Sequence, residues 1–248
     1  MMLTREGIAY RIARDLPEGG YVNLGVGIPL LVANFLDPAK EIFIHSENGI
    51  LGVGPTPARG EEDLDIVSAG AGFCTLALGA SLFDHTLSFT MIRGGHLTHA
   101  ILGAIEVAAS GDFANWRVPG QAVPAVGGAM DLAVGAPNVY VAMSHLTNKG
   151  KPKIVKSCSA PLTARACVRR IYTDLAIIDV EAGGLVLREL MPGHDPAGIQ
   201  AKTEAALKVA ADCREIDVPE TRNGARLRLS ARPGAGIRIR WKKSHSSM

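Results

Sequence analysis

Two segments put small residues and polar side chains where the chain must turn sharply: Asn23-Leu24-Gly25-Val26-Gly27-Ile28-Pro29 and Ser46-Glu47-Asn48-Gly49-Ile50-Leu51-Gly52-Val53-Gly54-Pro55. The second holds a single carboxylate, Glu47, directly after an apolar run, among residues small enough to let a ligand come close to the backbone. A carboxylate so placed can serve as a general base, a ribose ligand or a nucleophile. It can equally do no more than cap a helix. A dinucleotide site is the sharpest rival reading, because Gly25-x-Gly27 follows an apolar run and Glu47 lies about 20 residues on. Two residues oppose it. Leu30 stands where a third glycine should pack helix on strand, and Pro29 removes an N–H from the turn that would receive pyrophosphate. His96 and His99 form an H-x-x-H pair, but no carboxylate or cysteine sits nearby at ligand spacing, so packing or substrate contact is the plainer reading. Cys74, Cys158, Cys167 and Cys213 show no C-x-x-C spacing and read as reduced, mostly buried thiols.

The elements that must position these residues follow from periodicity. Residues 4–16 carry Ile8, Ile12 and Leu16 on one helical face, with Thr4 as N-cap. Residues 21–24 and 41–45 read as short apolar strands, each running into one of the two glycine-rich loops. Pro29 suits the first turn of a helix carrying Leu30, Leu31, Val32, Phe35 and Leu36. Residues 84–93 read as a helix stopped by Gly94-Gly95, and residues 199–211 as a final helix. Strands are expected at 65–67, 100–108, 139–143, 154–155, 176–180 and 185–187, with a loop over 115–128. Strands alternating with helices point to an α/β fold built on a largely parallel sheet, whose ligands bind at the carboxyl ends of the strands.

Composition narrows the classes further. The net charge of +2 hides a division: residues 219–248 hold six Arg and two Lys against one Glu, so the body is acidic. A basic nucleic-acid-binding body is therefore not expected. From 219 on, the pattern dissolves into Arg, Gly, Ser and Pro, which reads as a disordered basic tail (219–248) after one domain (1–218). No apolar run reaches about 18 residues, and the N-terminus lacks a signal peptide's apolar core, so no membrane span and a soluble, cytoplasmic chain are expected.

The segment SENGILGVGP (46–55) resembles the glutamate-bearing motif of the family I CoA-transferases, the 3-oxoacid type. The likeness runs in order through NLGVGIP (23–29), RGGH (93–96), LGA (102–104), ANW (114–116), GGAMDLAVGA (127–136), GKPKIV (150–155), PLTA (161–164) and TDLA (173–176), covering roughly residues 3–218. The resemblance implies a three-layer α/β domain of the NagB/RpiA-like kind. It also implies a nucleophilic Glu47 that carries CoA as a glutamyl-CoA thioester. By the same match, Gly127-Gly128-Ala129 approaches the thioester, with the N–H groups of Gly128 and Ala129 on the oxyanion. Asn23, Gly25, Gly27, Asn48 and Gly49 are expected to line the cleft; His96, Asn48 and Trp116 read as structural rather than catalytic. No metal or prosthetic group is implied, only CoA and acyl-CoA as substrates. The chain matches the second, glutamate-bearing half of the family's fused members. That implies a separately encoded CoA-transferase partner, the A subunit, in an αβ or α2β2 assembly. Succinyl-CoA as donor and acetoacetate or 3-oxoadipate as acceptor fit the motifs. The alternatives are an acyl-CoA hydrolase on the same fold and a CoA-binding subunit without catalysis. Three positions depart from the family pattern: Ala71 for Lys, Thr98 for Asp and Glu106 for Gln.

Overall fold

The first helix forms because apolar residues recur at helical spacing behind a hydroxyl cap. In the computed structural model, which describes residues 2–117 and 127–217, it is α1 (Arg5–Asp15), and Thr4 Oγ1 accepts the Gly7 N–H at 3.1 Å. The chain continues through β1 (Tyr21–Leu24), a 3₁₀ helix (Pro29–Phe35), β2 (Phe43–Ser46), β3 (Ile50–Val53), β4 (Leu76–Leu82), α2 (His85–Arg93) and β5 (His99–Leu102). Then come β6 (Glu106–Ala108), β7 (Phe113–Ala114), α3 (Ala129–Gly135), β8 (Asn138–Ala142), β9 (Ile154–Val155) and β10 (Val168–Tyr172). The last described elements are β11 (Ala176–Glu181), β12 (Gly184–Leu190), α4 (Pro196–Gln200) and β13 (Leu207–Glu215).

Ten strands make one sheet in the order β13-β12-β11-β10-β8-β5-β1-β2-β3-β4, and β7-β6-β9 make a small second one. From β10 to β2 every neighbouring pair is parallel, and antiparallel strands extend the sheet at both sides. Side chains alternate between its faces. Ala100 and Leu102 of β5 and Val139 and Val141 of β8 share a core with Ile92 of α2 and Leu132 of α3. The other face meets α1 and the 3₁₀ helix, where the Tyr172 hydroxyl donates to Asp15 at 2.8 Å. Three layers result, as the α/β reading expects. On that face Arg11 forks onto Glu189 of β12, at 3.0 and 2.7 Å, tying the first helix to the far end of the sheet.

Several elements differ from the sequence reading. Residues 199–211 do not form one helix: α4 ends at Gln200 and β13 pairs parallel with β12. The side chain of Gln200 holds the turn between them, accepting the Leu207 N–H at 2.8 Å and donating to the Thr203 and Ala205 carbonyls at 3.0 Å. The run 100–108 splits at residues 103–105, leaving β5 in the large sheet and β6 in the small one. Residues 29–35 wind as a 3₁₀ helix, residues 65–67 give only a bridge from Val67 to Phe73, and β3, β4, β7, β10 and α3 are additions. The basic segment from 219 on and most of the 115–128 loop lie outside the described residues.

Candidate active site

β2 delivers the chain to the carboxyl end of the parallel block, where Glu47 and Asn48 turn it back into β3. The turn closes only with glycine at 49. Its φ is +112°, and a Cβ there would overlap the carbonyl oxygen of Phe83. The Phe83 N–H in turn donates to the Gly49 carbonyl at 2.9 Å, joining the Glu47 turn to the entry of α2. Asp84 caps that helix, its Oδ1 accepting the Leu87 N–H at 2.9 Å.

Glu47 is half-buried and faces a cleft of about 530 Å³ that Gly25, Val26, residues 102–105, Asn115 and residues 127–129 also line. The Gly128 backbone, at the start of α3, packs directly against the Glu47 carboxylate. Burial lifts the Glu47 carboxyl above its ordinary range; the Gly128 N–H and the nearby His85 pull the other way, and Asp131 adds to the rise. A Cβ on Gly128 would lie 3.0 Å from Cζ of Phe89 as well as against the carboxylate, so the glycine backbone fills the whole gap between them.

Behind Glu47 runs a buried polar chain. Asn23 Nδ2 donates to His45 Nδ1 at 3.0 Å, which leaves the His45 proton on Nε2 to be donated to Ser88 Oγ, also at 3.0 Å. Burial pushes the His45 imidazole down to about 4, so it is neutral at physiological pH. Strands β1 and β2 and helix α2 are thereby held in register beneath the Glu47 turn.

The structure brings together Glu47, Gly25, Gly127, Gly128 and Ala129 around one cleft. It does not put the rest of the expected lining there. Asn23 is buried under the strand end, bonded to His45. Gly27 opens instead onto a second cavity of about 320 Å³, shared with Leu24, Leu30, Leu31, Ile44 and Phe73. Asn48 is exposed and donates to the Val67 carbonyl at 2.8 Å, and Gly49 is spent on the turn. Trp116 Nε1 donates to the Leu162 carbonyl at 3.1 Å. Of the departing positions, Thr98 clamps the start of β1 through both the N–H and the carbonyl of Tyr21, each at 2.9 Å. Glu106 accepts from the Ser159 N–H, the Ser159 hydroxyl and the Ala160 N–H. Ala71 is exposed with φ +58°, a left-handed conformation unusual for alanine. The 3₁₀ helix after Gly25-Val26-Gly27 also means that this loop does not lead into the α-helix N-terminus a dinucleotide would need.

Sequence reasoning passed over His85, Phe89, Asn115 and Asp131. The first two had a signal, being four residues apart on an expected helix and so on one face. Asn115 had none, because its place at the cleft depends on the small sheet: Thr163 Oγ1 accepts the Asn115 N–H at 2.9 Å and donates to Asn115 Oδ1 at 2.7 Å.

The three-layer fold is shared with acyl-transferring enzymes. An acyl-CoA transferase apoenzyme from Escherichia coli O157:H7 superposes with a TM-score of 0.68 at 20% identity, over 88% of this chain and 45% of that one. The chain thus spans less than half the length of that protein, and at this identity the match speaks for the fold alone. Sequence goes further: the family described as "Coenzyme A transferase" matches residues 5–201. The B subunit of a 3-oxoadipate CoA-transferase from Acinetobacter baylyi is 51% identical over 83% of this chain and 95% of its own length. The B subunit of a succinyl-CoA:3-ketoacid coenzyme A transferase from Helicobacter pylori is 45% identical over 83% of this chain and 99% of its own. The chain belongs to the coenzyme A transferase family.

Proposed function

We propose that this chain is the glutamate-bearing half of a two-chain CoA-transferase that moves CoA from succinyl-CoA to a 3-oxoacid through a thioester on Glu47. The observation that carries the reading is a half-buried carboxylate on the wall of an open cleft, with the glycine backbone of Gly128 packed against it. The relatives from Acinetobacter and Helicobacter support the reaction class.

The Glu47 carboxylate attacks the acyl-CoA carbonyl; a C–O bond forms, the C–S bond breaks, and CoA leaves as thiolate with the electron pair. The thiolate attacks the Glu47 carbonyl of the resulting anhydride, forming the glutamyl thioester and releasing the donor acid as carboxylate. An acceptor carboxylate repeats the two steps in reverse. No net proton or electron is exchanged, so the steps balance without a redox partner. Carboxylates are weak nucleophiles in water; partial burial strips solvent from Glu47 and raises its basicity, while holding it against a bound thioester supplies effective molarities of roughly 10⁵ M or more. When the Glu47 carbonyl is itself attacked, its oxygen becomes an oxyanion beside the Gly128 N–H. One such donor is worth about 3 kcal/mol of the barrier. Ala129 N–H, next along the same turn, is the second donor of this reading.

A partner chain of similar fold completes the open side of the cleft, and this chain alone turns over little. Of the two acceptors, 3-oxoadipate is named for the more similar relative and a 3-ketoacid for the other; steady-state kcat/KM for 3-oxoadipate and acetoacetate decides between them. The mechanism is tested by coexpressing the chain with its CoA-transferase partner, adding succinyl-CoA without acceptor, and recording intact mass. A CoA adduct on Glu47, absent in Glu47→Ala and removed by hydroxylamine, is expected. CoA release with no adduct and no acceptor would replace the transferase reading with hydrolysis.

A further inference from the structure

We propose that Asn115 is a specificity-determining residue: its side-chain amide, clamped at the edge of the Glu47 cleft, donates to the 3-oxo oxygen of the acid that exchanges CoA. It thereby selects 3-oxoacids over acids that lack the ketone. This rests on the 3-oxoacid reading of the reaction and names what in this chain recognises that class.

Asn115 follows β7, and two sets of bonds fix its place. The Ile105 N–H donates to the Ala114 carbonyl at 2.8 Å, which seats the end of β7 beside the 103–105 loop that leaves β5. Residues 162–163 clamp the same stretch. The Thr163 N–H donates to the Phe113 carbonyl at 2.8 Å, and Trp116 Nε1 donates to the Leu162 carbonyl at 3.1 Å. Thr163 Oγ1 then grips Asn115 itself, accepting its backbone N–H at 2.9 Å and donating to its Oδ1 at 2.7 Å.

That last bond fixes how the carboxamide is turned. Thr163 is buried, so its one hydroxyl proton needs an acceptor, and Asn115 Oδ1 supplies it. Nδ2 is left as the free end. It makes no hydrogen bond among the described residues, although Asn115 is half-buried and lines the cleft of about 530 Å³ that holds Glu47. A donor held this firmly and left unpaired in a cleft is a recognition element awaiting an oxygen.

The lining says which oxygen. Glu47 and Asn115 are its two polar side chains, set among glycine and aliphatic residues, and among the described residues no cation lines it. A ketone is neutral, so it enters such a cleft without the cost of stripping an ion of water, and it accepts from an amide without a counter-charge. A second carboxylate fits worse, because no cation on this lining answers it and Glu47 already places a negative charge there. A 3-oxoacyl group carries its ketone two carbons from the carbonyl that Glu47 attacks. One acyl group lying along the cleft therefore presents an oxygen to each residue. Succinyl has a methylene at that position and leaves Asn115 to water. The amide thus acts in the 3-oxoacid half of the reaction and is idle in the succinyl half, and an acid without the ketone strands a desolvated donor.

The test uses the complex coexpressed with its CoA-transferase partner and follows isotope exchange, which involves one acid at a time. Labelled succinate exchanges into succinyl-CoA, and a labelled 3-oxoacid (acetoacetate or 3-oxoadipate, whichever the wild-type complex exchanges faster) exchanges into its own CoA ester. Asn115→Leu keeps the size and removes the donor. Its kcat/KM for 3-oxoacid exchange is expected to fall roughly 10- to 100-fold, while succinate exchange stays within about twofold. The succinate arm shows that the variant is folded and assembled. Should Asn115→Leu not assemble, Thr163→Val, which releases the carboxamide, is expected to show the same split by a smaller factor. A 3-oxoacid exchange left near wild type overturns the proposal. An equal loss in both arms, or a larger loss for succinate, overturns it too, the last by making the amide a carboxylate donor. Neither exchange presupposes a covalent intermediate. If the wild-type complex exchanges both acids yet forms no CoA adduct on Glu47, the thioester mechanism falls while the Asn115 split is still read, so the two failures are distinct.

Discussion

A Cβ placed on Gly128 would sit 2.5 Å from Oε2 of Glu47, closer than any side-chain carbon can approach a carboxylate oxygen. The two residues lie far apart in sequence and meet at the carboxyl end of the parallel strands. Their contact fixes where the Glu47 carboxylate oxygen lies relative to the Gly128 backbone.

Gly128→Ala should therefore disable the enzyme without unfolding it. The methyl group must displace the Glu47 carboxylate or tilt the amide away, which removes one oxyanion donor. We expect kcat to fall about 10²- to 10³-fold, with the melting temperature of the complex changed little. Activity within a factor of two of wild type would mean that the Gly128 contact is not used in the reaction.

Glu47→Gln should trade activity for stability. Burial raises the Glu47 carboxyl in the folded state, so its ionisation disfavours folding: stability attached to this group is highest at acid pH and is lost as pH rises through the unfolded and then the folded titration. The amide never ionises. We expect the variant to be inactive yet to melt a few degrees higher at pH 7.5, where about 1 kcal/mol corresponds to 2–4 °C for a chain of this size. The advantage should disappear near pH 4, which differential scanning calorimetry in both buffers would show.

Acid should unfold the chain early. Burial pushes His45 and His145 each down to about 4, whereas in the unfolded chain both take up protons near pH 6.5. The unfolded state then binds more protons between those values, so the stability that neutral imidazoles provide is present above pH 6.5 and lost as pH falls toward 4. His145 sits between the Thr173 and Thr203 hydroxyls, at 3.0 and 2.9 Å, without a carboxylate on either ring nitrogen to support the charged form. We expect on the order of 2 kcal/mol per histidine to be lost between pH 7 and pH 5. Urea midpoints across that range, compared with His145→Gln, would reveal a flatter slope in the variant.

Breaking the Arg11–Glu189 pair should cost more than any surface substitution. Both side chains are nearly closed to solvent, at 10% and 7% exposure, and the fork spans α1 and β12. Glu189→Ala leaves a buried guanidinium with only Asp15 to answer it. We expect a loss of about 3–5 kcal/mol, read as a lower urea midpoint with an unchanged denaturant slope. A loss below about 1 kcal/mol would show that α1 is held by its apolar face alone.

Much of the frame was legible because its cause is local. Thr4 caps the first helix as its hydroxyl announces, and Gly94 ends the second as expected. The apolar runs of β1, β2, β8 and β11 stand out because they are buried in the sheet. The order of motifs pointed to the family, and Glu47 stood alone as the carboxylate after a strand. By contrast, β4 escaped notice because its Leu-Ala-Leu-Gly-Ala-Ser-Leu run is mostly exposed and lacks alternation. Residues 207–215 read as helix because alanine and lysine favour one locally; pairing with β12 outweighs that preference.

The ordered set of motifs was enough for the family, whereas the residues around Glu47 taken alone left it open as base, ribose ligand, nucleophile or helix cap. What surrounds that carboxylate came from the packing of remote segments. Gly128 reaches Glu47 because α3 starts beside the end of β2, and the bond between Gly49 and Phe83 ties the turn to the entry of α2. Asn23 and Gly27, near Gly25 in sequence, are used elsewhere, because Asn23 is bonded to His45 beneath the strand end and the loop turns away at Gly27. Spacing along a chain records local geometry. Distances between remote segments are set by how the layers pack, and no local pattern encodes them.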